Sequence, residues 1–180
     1  MPPAVIAQQM KSVCRLARVL TTPLISIPTV AAGSDLEPEI ERLTWLSRLA
    51  TADGVTMTIE TRAGTLTDDP ATAIQLCRRV PGLGLALDPS HYLIGPYHSQ
   101  ELDDLFPFVQ HVRLRDTNGR LNQFQVRIGQ GEIEYGRIVA QLARFNYGRS
   151  LSVDIHDTPE SPYDMQPEVR KLKYLLESLL

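Results

Sequence analysis

"LGLALD", residues 83–88, decides the fold. Leu83, Leu85 and Leu87 alternate with Gly84, Ala86 and Asp88. Successive side chains of a strand point to opposite faces, so this stretch reads as a strand with one aliphatic face and one small face ending in a carboxylate. Two other stretches repeat the pattern. In "VTMTIE", residues 55–60, Val55, Met57 and Ile59 alternate with Thr56, Thr58 and Glu60; in "SLSVDI", residues 150–155, Leu151, Val153 and Ile155 alternate with Ser150, Ser152 and Asp154. An open doubly wound sheet carries large apolar residues on both faces, to meet helices on both sides. One aliphatic and one small, polar face instead fit the strands of a (β/α) barrel. The aliphatic side meets an outer helix layer, and the inner side turns polar at the C-terminal mouth.

Helical patterns separate these strands. Residues 3–20 carry Val5, Met10, Val13, Leu16, Ala17 and Leu20 at spacings of three and four, and "PLISIP" at 23–28 follows as a strand closed by Pro28. Residues 38–52 form a helix with Ile40, Leu43, Leu46 and Leu49 on one stripe and Gly54 past its end. An Asp69-Pro70 start opens a helix over 68–80. A short helix over 99–109, broken near Pro107, precedes a strand at 111–116, and helices follow at 132–146 and 166–180. The result is five strand–helix repeats preceded by a helix, in one domain spanning 1–180. Strands that alternate with helices pair in parallel through right-handed crossovers.

Composition bounds the function. The chain has 180 residues, is 43% hydrophobic and 22% charged, and carries a formal net charge of -3. This is an ordinary globular composition with no broad basic field, so no nucleic-acid partner is expected. The longest apolar runs fall short of the roughly 18 residues of a membrane span. The N-terminus lacks a basic region followed by an apolar core and a small-residue cleavage site. Cys14 and Cys77 are isolated, with no metal or redox spacing. A cytoplasmic location is expected.

Three strands end in an inward carboxylate: Glu60, Asp88 and Asp154. In "HVRLRD", residues 111–116, Val112 and Leu114 share one face and His111, Arg113 and Arg115 the other, so Arg113 is inward near the same level. Oxygen-rich clusters suit Mg or Mn, and an added His nitrogen suits Mn, Co or Zn.

The segments "VTMTIETRAG" (55–64), "LGLALDPSHY" (83–92), "VQHVRLRDTNG" (109–119), "RIGQGEIEYGRIVAQL" (127–142) and "YGRSLSVDIHD" (147–157) resemble, in order and spacing, the sugar phosphate isomerase/epimerase family of xylose isomerase-like TIM barrels. The resemblance covers 1–180 and is most specific over 55–155. It implies a divalent metal, Mn, Mg, Co or Zn, at the barrel mouth. Glu60, Asp88 and Asp154 match three of its ligands, Asp154 standing where the family has the longer Glu. His91, in "DPSH", matches a His close to metal or substrate. Glu60 and Asp154 match the pair that removes and returns a proton on opposite faces of a sugar carbon. Where the family reads His-Leu-Lys-Asp this chain has "RLRD", so the ligand His is Arg113. A guanidinium cannot ligate a cation and stays protonated. His111 lies two residues earlier, about 6.6 Å deeper, and does not take over.

The resemblance thus implies an isomerase- or epimerase-like protein whose metal site is degraded by Arg113, with His91, His111, Arg113 and Arg115 facing a sugar or sugar phosphate. The alternative is a non-catalytic sugar- or sugar-phosphate-binding protein, or one subunit of a split barrel. In that reading Arg113, Arg115, Arg127 and the Gly129/Gly131 loop cradle an anion. Action on abasic DNA is disfavoured, since those relatives use three metals and more His ligands and this chain has four His. His98 and His156 read as surface histidines, and Asp116 and Asn118 as turn residues. A complete barrel takes about 250 residues. Against the family pattern this chain starts at the helix before the fourth strand and lacks the first three strand–helix units. Two sheet edges then stay open, to be covered by self-association or a partner chain.

Overall fold

The computed structural model describes residues 2–98, 101–120, 124–157 and 163–180. Helix α1 (Pro3–Val19) leads into strand β1 (Leu24–Ile27); α2 (Leu36–Ala52) and β2 (Thr56–Glu60) follow, then α3 (Pro70–Arg79), β3 (Leu83–Leu87), the short α4 (Pro89–Ile94), β4 (Val109–Leu114), α5 (Tyr135–Arg144), β5 (Leu151–Val153) and α6 (Met165–Leu179). The strands lie in chain order and every adjacent pair is parallel. This is a five-stranded partial (β/α) barrel. Among the described residues, no helix is long and apolar enough to cross a membrane.

The aliphatic strand face makes the core. Met57, Ile59, Leu85, Leu87, Val112 and Leu114 are fully buried, as are Leu43 of α2 and Leu76 of α3. Burial of such side chains contributes about 1.5–3 kcal/mol each, before the entropy cost of ordering them. The opposite face is small and polar, as the alternation requires. Ser26 and Thr58 share a hydrogen bond of 2.7 Å across β1 and β2. The start of α3 follows the sequence signal: the Asp69 side chain accepts from the N–H groups of Ala71 and Thr72, and Pro70 takes the first helical position.

Several boundaries differ from the sequence reading. The strand expected at 111–116 runs over Val109–Leu114, because Leu85 pairs with Val109 while Ala86 pairs with His111, which leaves Gln110 as a bulge. Gln110 fits because residue 84 is glycine: a Cβ there would overlap Cγ of Gln110. Asp88 caps the unforeseen α4, and Pro89 supplies its first turn. The helix expected at 99–109 is a 3-10 helix at Asp103–Phe108, with Pro107 inside it; residues 99 and 100 lie outside the described residues. At the end of the sheet, β5 has a strand on one side only among the described residues and stops at Val153, short of the expected 155.

Candidate functional site

The C-terminal ends of β2, β3, β4 and β5 bring Glu60, Asp88, Arg113, Arg115 and Asp154 to one mouth. Glu60 closes β2, Asp88 follows β3 by one residue and Asp154 follows β5 by one. Asp154 N–H donates to the Leu114 carbonyl at 2.8 Å, which holds it beside the end of β4.

Asp88 is fully buried and fully engaged. Its Oδ1 accepts from the Ser90 N–H at 3.1 Å and from the Ser90 hydroxyl, while Oδ2 accepts from Arg115 Nη2 at 2.6 Å. Its backbone is tied to Thr61, whose Oγ1 accepts from Asp88 N–H and donates to Asp88 O. The same Arg115 Nη2 lies 2.6 Å from Asp154 Oδ2. Arg115 is 5% exposed, and its guanidinium carbon sits 4.5 Å from the centre of the Phe124 ring. This is a buried, charge-assisted clamp with an aromatic cover.

Arg113 is held differently. Its Nη1 lies 3.4 Å from Glu60 Oε1 and its Nε 4.0 Å from Asp154 Oδ2. These are ion-pair rather than hydrogen-bond distances. The side chains of Arg113, Glu60 and Asp154 keep 24%, 18% and 21% exposure. The sequence reading put Arg113 alone at the centre of the three acids. In the fold two guanidiniums divide them: Arg115 takes Asp88 and Asp154, and Arg113 stands between Glu60 and Asp154.

The histidines surround this group. His91 Nδ1 accepts from Ala63 N–H at 3.3 Å, so the proton of the neutral ring is on Nε2, 3.8 Å from Asp88 Oδ2. Burial holds its pKa below the ordinary value against the pull of Asp88. Its ring stands 4.8 Å from Phe124. His111 lies deeper, with Nε2 at 3.1 Å from the Ser152 hydroxyl. Burial, then Arg113, lowers its pKa. His156 Nε2 is 3.0 Å from Asp154 Oδ1. Its side chain is 59% exposed, and two residues after Asp154 it falls on the same side of the chain.

The glycine loop is not an open anion cradle. The N–H groups of Gly129 and Gly131 donate to Asp116 Oδ2 at 2.7 and 3.1 Å, and Thr117 N–H donates to Oδ1 at 3.1 Å. Asp116 is buried and serves as the loop's internal anion. Arg127 lies over the Tyr163 ring instead, 5.1 Å from its centre. Asp116 read as a turn residue in the sequence; its wider role was hidden because its partners lie up to seventeen residues further on. Phe124 and Gln110 carried no sequence signal either, one lying in a loop and the other in a bulge.

A divalent cation does not fit these residues. Both oxygens of Asp88 are already engaged, and Arg115 fills the space between Asp88 and Asp154. Among the described residues, no group of three or more His, Cys, Asp or Glu side chains is arranged to hold a metal ion.

The family model of xylose isomerase-like TIM barrels matches residues 4–175. The chain belongs to the xylose isomerase-like TIM barrel family. The mouth just described lies at the C-terminal end of the strands, the end at which (β/α) barrels in general carry their sites. Solved structures with the same fold include a xylose isomerase-like TIM barrel protein from Mycobacterium smegmatis in complex with magnesium, at 14% identity and a TM-score of 0.76 over 96% of this chain and 66% of that one. They also include the probable 3-DHS dehydratase AsbF of Bacillus anthracis, at 17% identity and a TM-score of 0.73 over 92% and 69%. An L-ribulose 3-epimerase matches at 14% identity and a TM-score of 0.73 over 96% and 67%. The chain thus spans about two thirds of the length of these relatives. No functionally curated protein matches the sequence.

Proposed function

We propose that this barrel mouth binds a sugar or sugar phosphate and exchanges a proton on one of its carbons, as isomerases and epimerases do. The observation that carries this reading is Glu60. Its carboxylate closes β2 at the mouth, stays partly exposed and meets Arg113 only at 3.4 Å. It is thus the acid with lone pairs left to accept a proton from a ligand. Asp154 stands on the other side of Arg113 as the group to return it, with His156 on its Oδ1. Arg113 between them offers positive charge where an enediolate would develop. Its neighbours His91, His111 and Arg115 complete the wall. The epimerase and dehydratase among the structural relatives support a proton-transfer chemistry by kinship.

The test is deuterium incorporation into a panel of aldoses, ketoses and their phosphates in heavy water. Exchange at a carbon next to the carbonyl is expected, and Glu60→Gln should slow it by about 100-fold or more. A second reading, a sugar-binding protein without catalysis, is favoured by Asp154, whose two oxygens are both engaged. Ligand binding with no exchange in any sugar selects that reading.

A further inference from the structure

We infer that two guanidiniums do the work of a divalent cation at this mouth: Arg115 is the fixed counter-charge, Arg113 is the donor that meets the ligand, and ligand binding is metal-independent. This rests on the sugar-binding reading above.

Arg115 has the attributes of a structural cation. It is 5% exposed, it bridges Asp88 and Asp154 through one nitrogen, and Phe124 covers it. A metal bridging the same two carboxylates would have to expel a guanidinium from an aromatic face and leave it buried without an acid. Two positive groups cannot share that space without strong repulsion. The pair is therefore closed to exchange with solvent cations.

Arg113 has the opposite character. Its contacts to Glu60 and Asp154, at 3.4 and 4.0 Å, are too long to be hydrogen bonds, and its side chain keeps 24% exposure where that of Arg115 keeps 5%. Its partly exposed guanidinium is therefore open to the oxygens of a ligand. A guanidinium is a planar fork, suited to two neighbouring oxygens at once. Adjacent carbonyl and hydroxyl oxygens of a sugar present such a pair. Each engaged oxygen of Asp154 keeps a second lone pair, so Glu60 and Asp154, on either side, accept from the hydroxyl protons. The exposed row runs acceptor, donor, acceptor, which matches a polyhydroxylated ligand without any metal.

The test uses the purified full chain with the same sugar panel, read by thermal shift and by ligand-observed NMR, with chelator and with added manganese. Metal content is measured by atomic absorption after equilibration with manganese. The expected result is a sugar-dependent shift that chelator does not change, and no stoichiometric metal. Arg113→Gln should keep the melting temperature of the free protein and weaken sugar binding at least about tenfold, the loss expected for a charge-assisted pair. Arg115→Met should lower the melting temperature whether or not sugar is present. A sugar shift abolished by chelator, or sugar binding unchanged in Arg113→Gln, overturns the inference. Stoichiometric manganese overturns it as well. If no sugar binds under any condition, the sugar-binding reading itself falls, and the ligand role of Arg113 with it; the metal measurement still judges the counter-charge role of Arg115.

Discussion

Asp116 shows how much one buried acid decides. Its carboxylate gathers N–H groups from Thr117, Gly129 and Gly131, and so fixes a loop that returns across the end of β4. Asp116→Asn keeps the shape but removes one acceptor oxygen and the charge. It should cost about 2–4 kcal/mol, because several buried donors lose a charged partner; a melting temperature equal to the parent's would sink this account. Gly131→Ala should destabilise too, since a Cβ there would overlap the Asp116 carboxylate and the Thr117 carbonyl. His91 and His111 make a prediction about pH. Both have folded pKa values below the ordinary value, mainly from burial. Below about pH 6.5 the unfolded chain takes up protons that the folded chain refuses, so stability falls as pH drops from that point and is flat above it. Melting curves between about pH 5 and 7.5 should show this slope, and His91→Gln with His111→Gln should flatten it.

At the scale of elements, the pairing of β3 with β4 is the point where local pattern and site meet. The bulge at Gln110 lets Val109 pair with Leu85 and still sends His111 and Arg113 into the barrel. A strand register that slips by one residue moves every side chain to the other face. Gly84 makes room for the bulged side chain. Gly84→Ala should therefore destabilise by about 1–3 kcal/mol, the usual cost of overpacking. In a Gln110→Ala background the same change should cost much less. A double-mutant cycle by urea denaturation measures the coupling, and additive effects would refute the steric reading.

At the scale of the molecule, the free edges of β1 and β5 have no strand beside them among the described residues. Exposed apolar side chains gather on the helices at those two ends. Val5, Val13, Leu16, Val19 and Leu20 lie on or just after α1, and Val169, Tyr174, Leu179 and Leu180 on or just after α6. Scattered exposed apolar residues are normal, but contiguous ones mark an association surface. A second copy joined edge to edge does not close a barrel neatly. Each outer helix covers the gap between two strands, so α6 and the α1 of the copy would compete for one gap. We expect the isolated chain to associate through the α1 face, with a mass that rises with concentration in light scattering. Leu16→Glu with Leu20→Glu should shift it toward monomer; an unchanged mass would send the contact elsewhere.

Much of this protein was legible in the sequence because its information is periodic. Leu83, Leu85 and Leu87 against Gly84, Ala86 and Asp88 fixed both faces of β3, since strand side chains alternate whatever surrounds them. The same rule brought Glu60, Asp88 and Asp154 to one mouth and turned Arg113 toward them. Alternation says which side a residue faces, but not which partner its long side chain finds. Only the tertiary structure could divide the acids between Arg113 and Arg115, turn the Gly129 and Gly131 amides onto Asp116, and lay Phe124 over the buried clamp. Those outcomes depend on distances between groups far apart in the chain. They are set by which buried charge must be neutralised where water is excluded.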